Sequence, residues 1–394
     1  MRYLNKRDAL MALIVIPIIL PMSLCYYLGI GQIIMYVRAV ALIILFLMLF
    51  QKQFILDKYI LHIAIYAIFL FVATVWKGGS VSKCFTNLLN VLCPVLWCKV
   101  SFQRGRAYQC IKILSVFLII MAIADIIVYL LLPEGLMVYQ TGELLARTGL
   151  ISNSNSITPY LIPSCFIVLF ALAKEEKDSL INSLWLMFCF MFAIFFVFTG
   201  NGMFVSIICI VLFFAYSYTE KVSTVLNAKA MMIVLAVLFV LVCVFQQTNW
   251  LGELSALFTS SSTFSGRTQL WIYVIPQILH SPFIGYGVQE NTYLSGYLYR
   301  TTAHNMYFQL LLWSGLIGCI PLVLIMNNTL KKVMQYWETS KAIRILSIGI
   351  IGTLIYFMLE VHVFVPIFWL ALSYLNYYDK FLETDEQLNN NEIM

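Results

Sequence analysis

Four histidines are spread through 394 residues, and one of them stands where chemistry is expected. His304 and Asn305, in "RTTAHNMYFQLLLWSG", immediately precede a long run of Leu, Ile, Phe and Trp. An imidazole exchanges a proton near neutral pH and can serve as a general base. Asn is favoured at helix starts, so Asn305 either caps the coming helix or orients a ligand. Arginines recur in the same region and before it: Arg147 in "LARTGLISNSNS", Arg267 in "SGRTQLW" and Arg300 four residues before the histidine. A guanidinium keeps its charge and presents a planar fork of donors that fits phosphate oxygens two at a time. Gly285 and Gly287 flank Tyr286 in "SPFIGYG". Each feature has a plain reading as well: an arginine on a lipid headgroup, a histidine in a capping region, a glycine turn. Their co-location favours a site that grips a diphosphate and removes a proton beside it. Glu253 and Glu290 are isolated and His304 has no neighbouring His or paired acid in the sequence, so the chemistry is expected to need neither metal nor cofactor.

The frame that must position these residues is apolar. Hydrophobic residues make up 62% of the chain and charged ones 11%, against roughly 25% charged in soluble proteins. Runs of about 20 mostly apolar residues, the length that crosses a bilayer core, occur about twelve times. They fall near 9–30, 33–50, 58–76, 85–100, 110–132, 157–173, 181–199, 202–218, 229–246, 304–326, 343–359 and 361–378. The fold class expected is therefore all-α, a polytopic membrane protein. The ten cysteines form no CxxC pair and read as small packing residues.

Orientation follows from the distribution of Lys and Arg among the connections. With the N-terminus inside, eighteen of the 24 Lys and Arg residues fall on the inner side and five outside, with Arg38 within a span. Both termini are expected to face the cytoplasm. The chain then divides into N-terminal spans (1–132), an external loop (133–157), central spans (158–245), a large external loop (246–303), C-terminal spans (304–378) and a polar cytoplasmic tail (379–394) that reads as disordered. Loops this long in compact proteins are usually functional or disordered, and the second loop is too apolar for disorder. "GRTQLWIYVIPQILH" in the larger one predicts a short amphipathic helix along the membrane surface before the tenth span. Trp271, Tyr273, Tyr286 and Tyr293 read equally as sugar-stacking rings or as interfacial aromatics. Arg38, Asp125 and Glu360 are the charges placed in or beside spans; Asp125 is expected to face protein or a cavity.

Taken in order, "ARTGL", "SGRTQLW", "SPFIGYG" and "AHN" resemble the bacterial family of O-antigen ligases and O-antigen or capsular polysaccharide polymerases. The good match covers about 265–318. One departure is the turn "FTGNGMF", Phe198 to Phe204, where many relatives carry an Arg after Thr-Gly; Arg147 or Arg300 would have to replace it. The resemblance implies a membrane glycosyltransferase acting outside the cytoplasmic (inner) membrane. It would pass a glycan from an undecaprenyl-diphosphate-linked oligosaccharide to an acceptor hydroxyl, with His304 and Arg267 catalytic and Arg147, Asn305, Gly285, Gly287 and Arg300 binding substrate. A polymerase would use another lipid-linked repeat unit as acceptor, and a ligase the lipopolysaccharide core. The family also implies a chain-length regulator as partner; nucleic acid is not expected. A flippase or transporter of lipid-linked sugars is the alternative of another class.

Overall fold

A computed structural model describes residues 6–51, 56–141, 144–153, 156–197, 199–218, 228–243, 267–289, 302–362 and 364–382. In chain order the helices are α1 (Lys6–Ile19), α2 (Met22–Tyr27), α3 (Gly31–Phe50), α4 (Lys58–Trp76), α5 (Val81–Gln103), α6 (Ala107–Leu131), α7 (Thr158–Lys174) and α8 (Leu180–Phe196). They continue as α9 (Gly200–Tyr218), α10 (Ala228–Cys243), α11 (Arg267–His280), α12 (Met306–Tyr336), α13 (Lys341–Tyr356) and α14 (Pro366–Asn376). Six helices among the described residues are long and apolar enough to span a membrane: α3, α4, α5, α6, α9 and α12. The chain is a polytopic, helical membrane protein. One element departs from the all-α expectation. Within the loop 133–157, β1 (Met137–Thr141) and β2 (Leu144–Thr148) form an antiparallel hairpin.

The periodicity of α3 shows how the bundle sorts its faces. Arg38, Ala41, Leu45 and Leu49 are buried, whereas Tyr36, Val40, Ile43 and Leu47 on the opposite face are exposed. Apolar residues turned outward are the pattern a hydrocarbon solvent selects. The centre is made by α7, α13 and α14, which are buried on every side over most of their lengths. The expected first span, 9–30, is broken between α1 and α2. Pro21 has no N–H, so the Pro17 carbonyl one turn earlier lacks its helical partner. Arg38 supplies one. Its Nε donates to Pro17 O (2.9 Å), and its terminal nitrogens to Leu20 O (2.8 Å) and Asn90 Oδ1 (2.7 Å).

Cross-links between helices fix the direction of the core. Antiparallel α4 and α12 pair His62 with Asn328 at one end, and Thr74 lies beside Gly287 near the other. Parallel to α12 runs α14: Phe364, just before it, packs on Trp313 (ring centroids 5.6 Å), and Asn376 bonds Thr329 (2.7 Å). The chain remains helical to Leu382, and Phe381 is buried against Phe102 (4.6 Å) and Phe170 (5.6 Å). The rest of the expected tail, 383–394, lies outside the described residues.

Candidate active site

His304 sits at the start of α12 with φ of +46°, a left-handed backbone that a residue with a Cβ seldom adopts. Its neighbours hold it there. Ala303 N donates to Gln309 Oε1 (2.8 Å), and Trp271 Nε1 donates to Ala303 O (2.9 Å). Asn305 caps α12 by accepting from Phe308 N (3.1 Å), and its amide donates to Met358 O (2.9 Å). Met306 N reaches Phe357 O (2.9 Å), and Tyr307 OH reaches Leu354 O (2.9 Å). The segment is thus laced to the end of α13 and the turn beyond it. A strained residue fixed from both sides is one of the ways a protein presents a working side chain.

That turn delivers the partner the sequence did not reveal. Glu360 is buried, and its Oε2 lies 3.2 Å from His304 Nδ1, while the His304 side chain is partly open. The expectation that His304 has no paired acid is corrected: the acid lies 56 residues away in the chain and is carried there by the α13 turn. The available signal was "MLEVHVF", an acid at the end of an apolar run on the side assigned to His304. A carboxylate on Nδ1 fixes the imidazole tautomer and leaves Nε2 as the proton-accepting nitrogen. His362, close by, is half-buried with its ring 6.3 Å from that of Tyr356.

Gly285 and Gly287 lie in a join between a loop and a broken helix. Inside α12, Gly315 has φ of +59° and ψ of −170°. An unbroken helix would bond Leu316 N to Leu312 O and Ile317 N to Trp313 O. Here the loop takes all four groups. Tyr286 N donates to Leu312 O (2.7 Å) and Gly287 N to Trp313 O (3.0 Å); Leu316 N donates to Pro282 O (2.8 Å) and Ile317 N to Phe283 O (3.1 Å). Both loop glycines have positive φ, and a Cβ at Gly287 would stand 2.5 Å from Thr74 Cα. The loop continues to α4: Val288 N donates to Thr74 Oγ1 (3.0 Å) and Ser80 N to Val288 O (2.7 Å). The hydroxyl of Tyr286 turns back to Gln277 O (3.0 Å) at the end of α11. Trp271, fully buried against Phe308, is a core residue and offers no open face for a sugar. Tyr273 is exposed, and Tyr293 lies outside the described residues.

Arg267 is the first residue of α11, whose Trp271 is the residue bonded to Ala303 beside the histidine. Arg147 is in β2, paired with Val138. For both arginines the described atoms are those of the backbone, and Arg300 lies outside the described residues. Asp125 ties the segment just after the strand of Arg147 to α6. It is fully buried and accepts from Ile151 N (3.0 Å). Gly149 allows that approach, since a Cβ there would stand 2.6 Å from both Asp125 Oδ1 and the Tyr129 ring. The sequence expectation that Asp125 faces protein holds. In the turn that lacks the family's arginine, Thr199 is buried and Gly202 lies so close that a Cβ would meet the Thr158 and Thr199 hydroxyls at 2.3 Å. Helix alternation brings the hairpin, the glycine loop and His304 to one end of the bundle.

A family model described as O-antigen ligase matches residues 183–323. Over that stretch the chain is similar to the O-antigen ligase family. The matched region takes in α11, the glycine loop, His304 and the break in α12, while Glu360, Asp125 and Arg147 lie beyond its limits. Comparison with curated proteins and with solved structures found no match.

Proposed function

We propose that this chain is a polysaccharide repeat-unit polymerase, a membrane glycosyltransferase that joins lipid-linked glycans on the outer side of the cytoplasmic membrane. The similarity of residues 183–323 to the O-antigen ligase family supports glycan transfer from a lipid-linked donor. The observation that carries the catalytic reading is the His304–Glu360 pair on a strained backbone at the mouth of α12.

In this reading the acceptor hydroxyl oxygen attacks the anomeric carbon of the donor glycan. The bond from that carbon to the diphosphate oxygen breaks, and both of its electrons leave with undecaprenyl diphosphate. The hydroxyl proton passes to His304 Nε2, and Glu360, on Nδ1, steadies the imidazolium that forms. General-base help of this kind is worth roughly 10²–10⁴-fold. Arg267 and Arg147, with Arg300, would meet the charge growing on the leaving diphosphate. No step calls for a metal or a cofactor.

A ligase that transfers to lipopolysaccharide core is the second reading, favoured by the description of the matched family. Gel analysis of surface glycan from a deletion strain separates the two. Loss of a polymerase leaves single repeats on the core, and loss of a ligase leaves bare core. A transporter is less well supported, because Arg38 is committed to two carbonyls and an amide, and Asp125 to a backbone N–H. Reconstitution with lipid-linked donor tests transfer directly. A product that never lengthens, while substrate crosses the bilayer, would favour transport.

A further inference from the structure

A second cavity lies at the end of the bundle remote from His304. It has a volume of about 830 Å³, within the range of roughly 300–1,000 Å³ usual for small-ligand sites. The start of α4, the end of α5, the end of α12 and the residues after α14 enclose it. These are the helix ends opposite to those that carry Thr74, Ser80, His304 and Phe364. By the Lys and Arg count it is the end that faces the cytoplasm.

Its walls carry five lysines: Lys58, Lys99, Lys331, Lys332 and Lys380. Against them stand two acids, Asp57 and Asp379, which leaves a net of three positive charges. Ion pairs hold both acids, Asp57 with Lys99 and Asp379 with Lys332. Lys99 is only 2% exposed. Asp57 also caps α4 through Ile60 N (2.9 Å) and accepts from Tyr377 OH (3.0 Å). A buried cation, its counter-ion and a tyrosine thus form a built floor. Lys58 and Lys331 stand exposed at the rim. Gln51, Gln103 and Asn328 add neutral polar groups to the wall. Clustered ammonium groups in a concave site between membrane helices suit a multiply charged oxyanion, and phosphate is the one abundant at that surface.

We propose that this cavity binds a phosphate-bearing anion, either the headgroup of an anionic lipid or a soluble phosphate compound. The inference does not depend on the glycan-transfer reading, because it shares no residue with that site.

The test titrates the full-length protein, in non-ionic detergent, with three probes: dihexanoylphosphatidylglycerol, dihexanoylphosphatidylcholine and inorganic pyrophosphate. Binding is read by native mass spectrometry or thermophoresis. Replacing both rim lysines (Lys58→Gln with Lys331→Gln) is expected to weaken the anionic probe about 25-fold, at about five-fold per lysine. The pair Lys58→Arg with Lys331→Arg should keep the affinity. Lys77→Gln, at the other end of α4, should leave it unchanged, and unaltered melting temperatures show that the variants fold. Tighter binding of phosphatidylglycerol than of pyrophosphate assigns the site to lipid, and the reverse assigns it to a soluble ligand. Binding of neither anion overturns the proposal. So does equal weakening by Lys77→Gln, which would reduce the effect to general surface charge.

Discussion

At the scale of single residues, the decisive contact is the one between Glu360 and His304. Glu360→Gln keeps the shape but removes the negative charge that steadies a protonated imidazole. Glycan transfer is expected to fall at least about 10-fold, a part of the roughly 10²–10⁴-fold that general-base catalysis supplies. His304→Ala should abolish long-chain glycan on gels. A stable Glu360→Gln protein that extends glycan at the normal rate would refute the pairing's role. Asn305→Ala is a different case. It loses the cap on Phe308 and the bond to Met358, and should lower stability by about 1 kcal/mol or more. Unfolding in detergent measures this independently of transfer. His304 and Asn305 could be found in the sequence because a rare imidazole next to a favoured capping residue opens a hydrophobic run. Glu360 could not, since only the tertiary turn after α13 turns an acid in an apolar stretch into a partner.

At the scale of elements, the glycine loop and the α12 break explain each other. Gly287→Ala forces a Cβ to within 2.5 Å of Thr74 Cα at a positive φ. A loss of about 1–3 kcal/mol is expected from the strain alone, read as a lower melting temperature, whereas Tyr286→Phe should cost only about 1 kcal/mol for its hydroxyl bond. Equal melting of wild type and Gly287→Ala would mean that the join is not under constraint. Hydropathy made α12 legible as a span, but it gave no hint of the break, because Gly315 sits among residues as apolar as their neighbours. Elsewhere, Glu175 in the connection after α7 bonds Lys177 (2.7 Å) and Lys112 of α6 (2.6 Å). Burial pushes its carboxyl up, but the bonds to the two lysines outweigh this and hold it at about 2. Its folded value is depressed, so its contribution to stability is complete above the ordinary carboxylate value of about 4.3 and is lost as pH falls toward 2. Melting curves across that window should show a smaller acid loss for Glu175→Gln. An identical acid profile would count against the ion pairs.

At the scale of the molecule, the bundle separates two polar ends. The apolar runs were legible because hydrocarbon demands them, and among the described residues six of the helices are long and apolar enough to cross a membrane. Their unequal lengths were not, because α13 and α14, at 16 and 11 residues, are shielded by protein. The hairpin escaped notice because five-residue strands leave little periodicity in sequence. Orientation can be tested by cysteine labelling in spheroplasts with a membrane-impermeant maleimide. The described native cysteines are buried or half-buried, so background should be low. Lys77→Cys is expected to label in intact spheroplasts, and Lys331→Cys only after permeabilisation. The opposite pattern would invert the topology and place His304 on the cytoplasmic side.

Because the graft onto α12 uses main-chain atoms alone, the nine residues from Met306 to Ser314 form a short helix of their own, joined to the span that follows through the glycine loop rather than through unbroken helical bonds. Trp271 of α11 rivets its start at Ala303. The start of α12 is therefore held from three sides: to α11 at Ala303, to the end of α13 through Asn305, Met306 and Tyr307, and to α4 through the glycine loop.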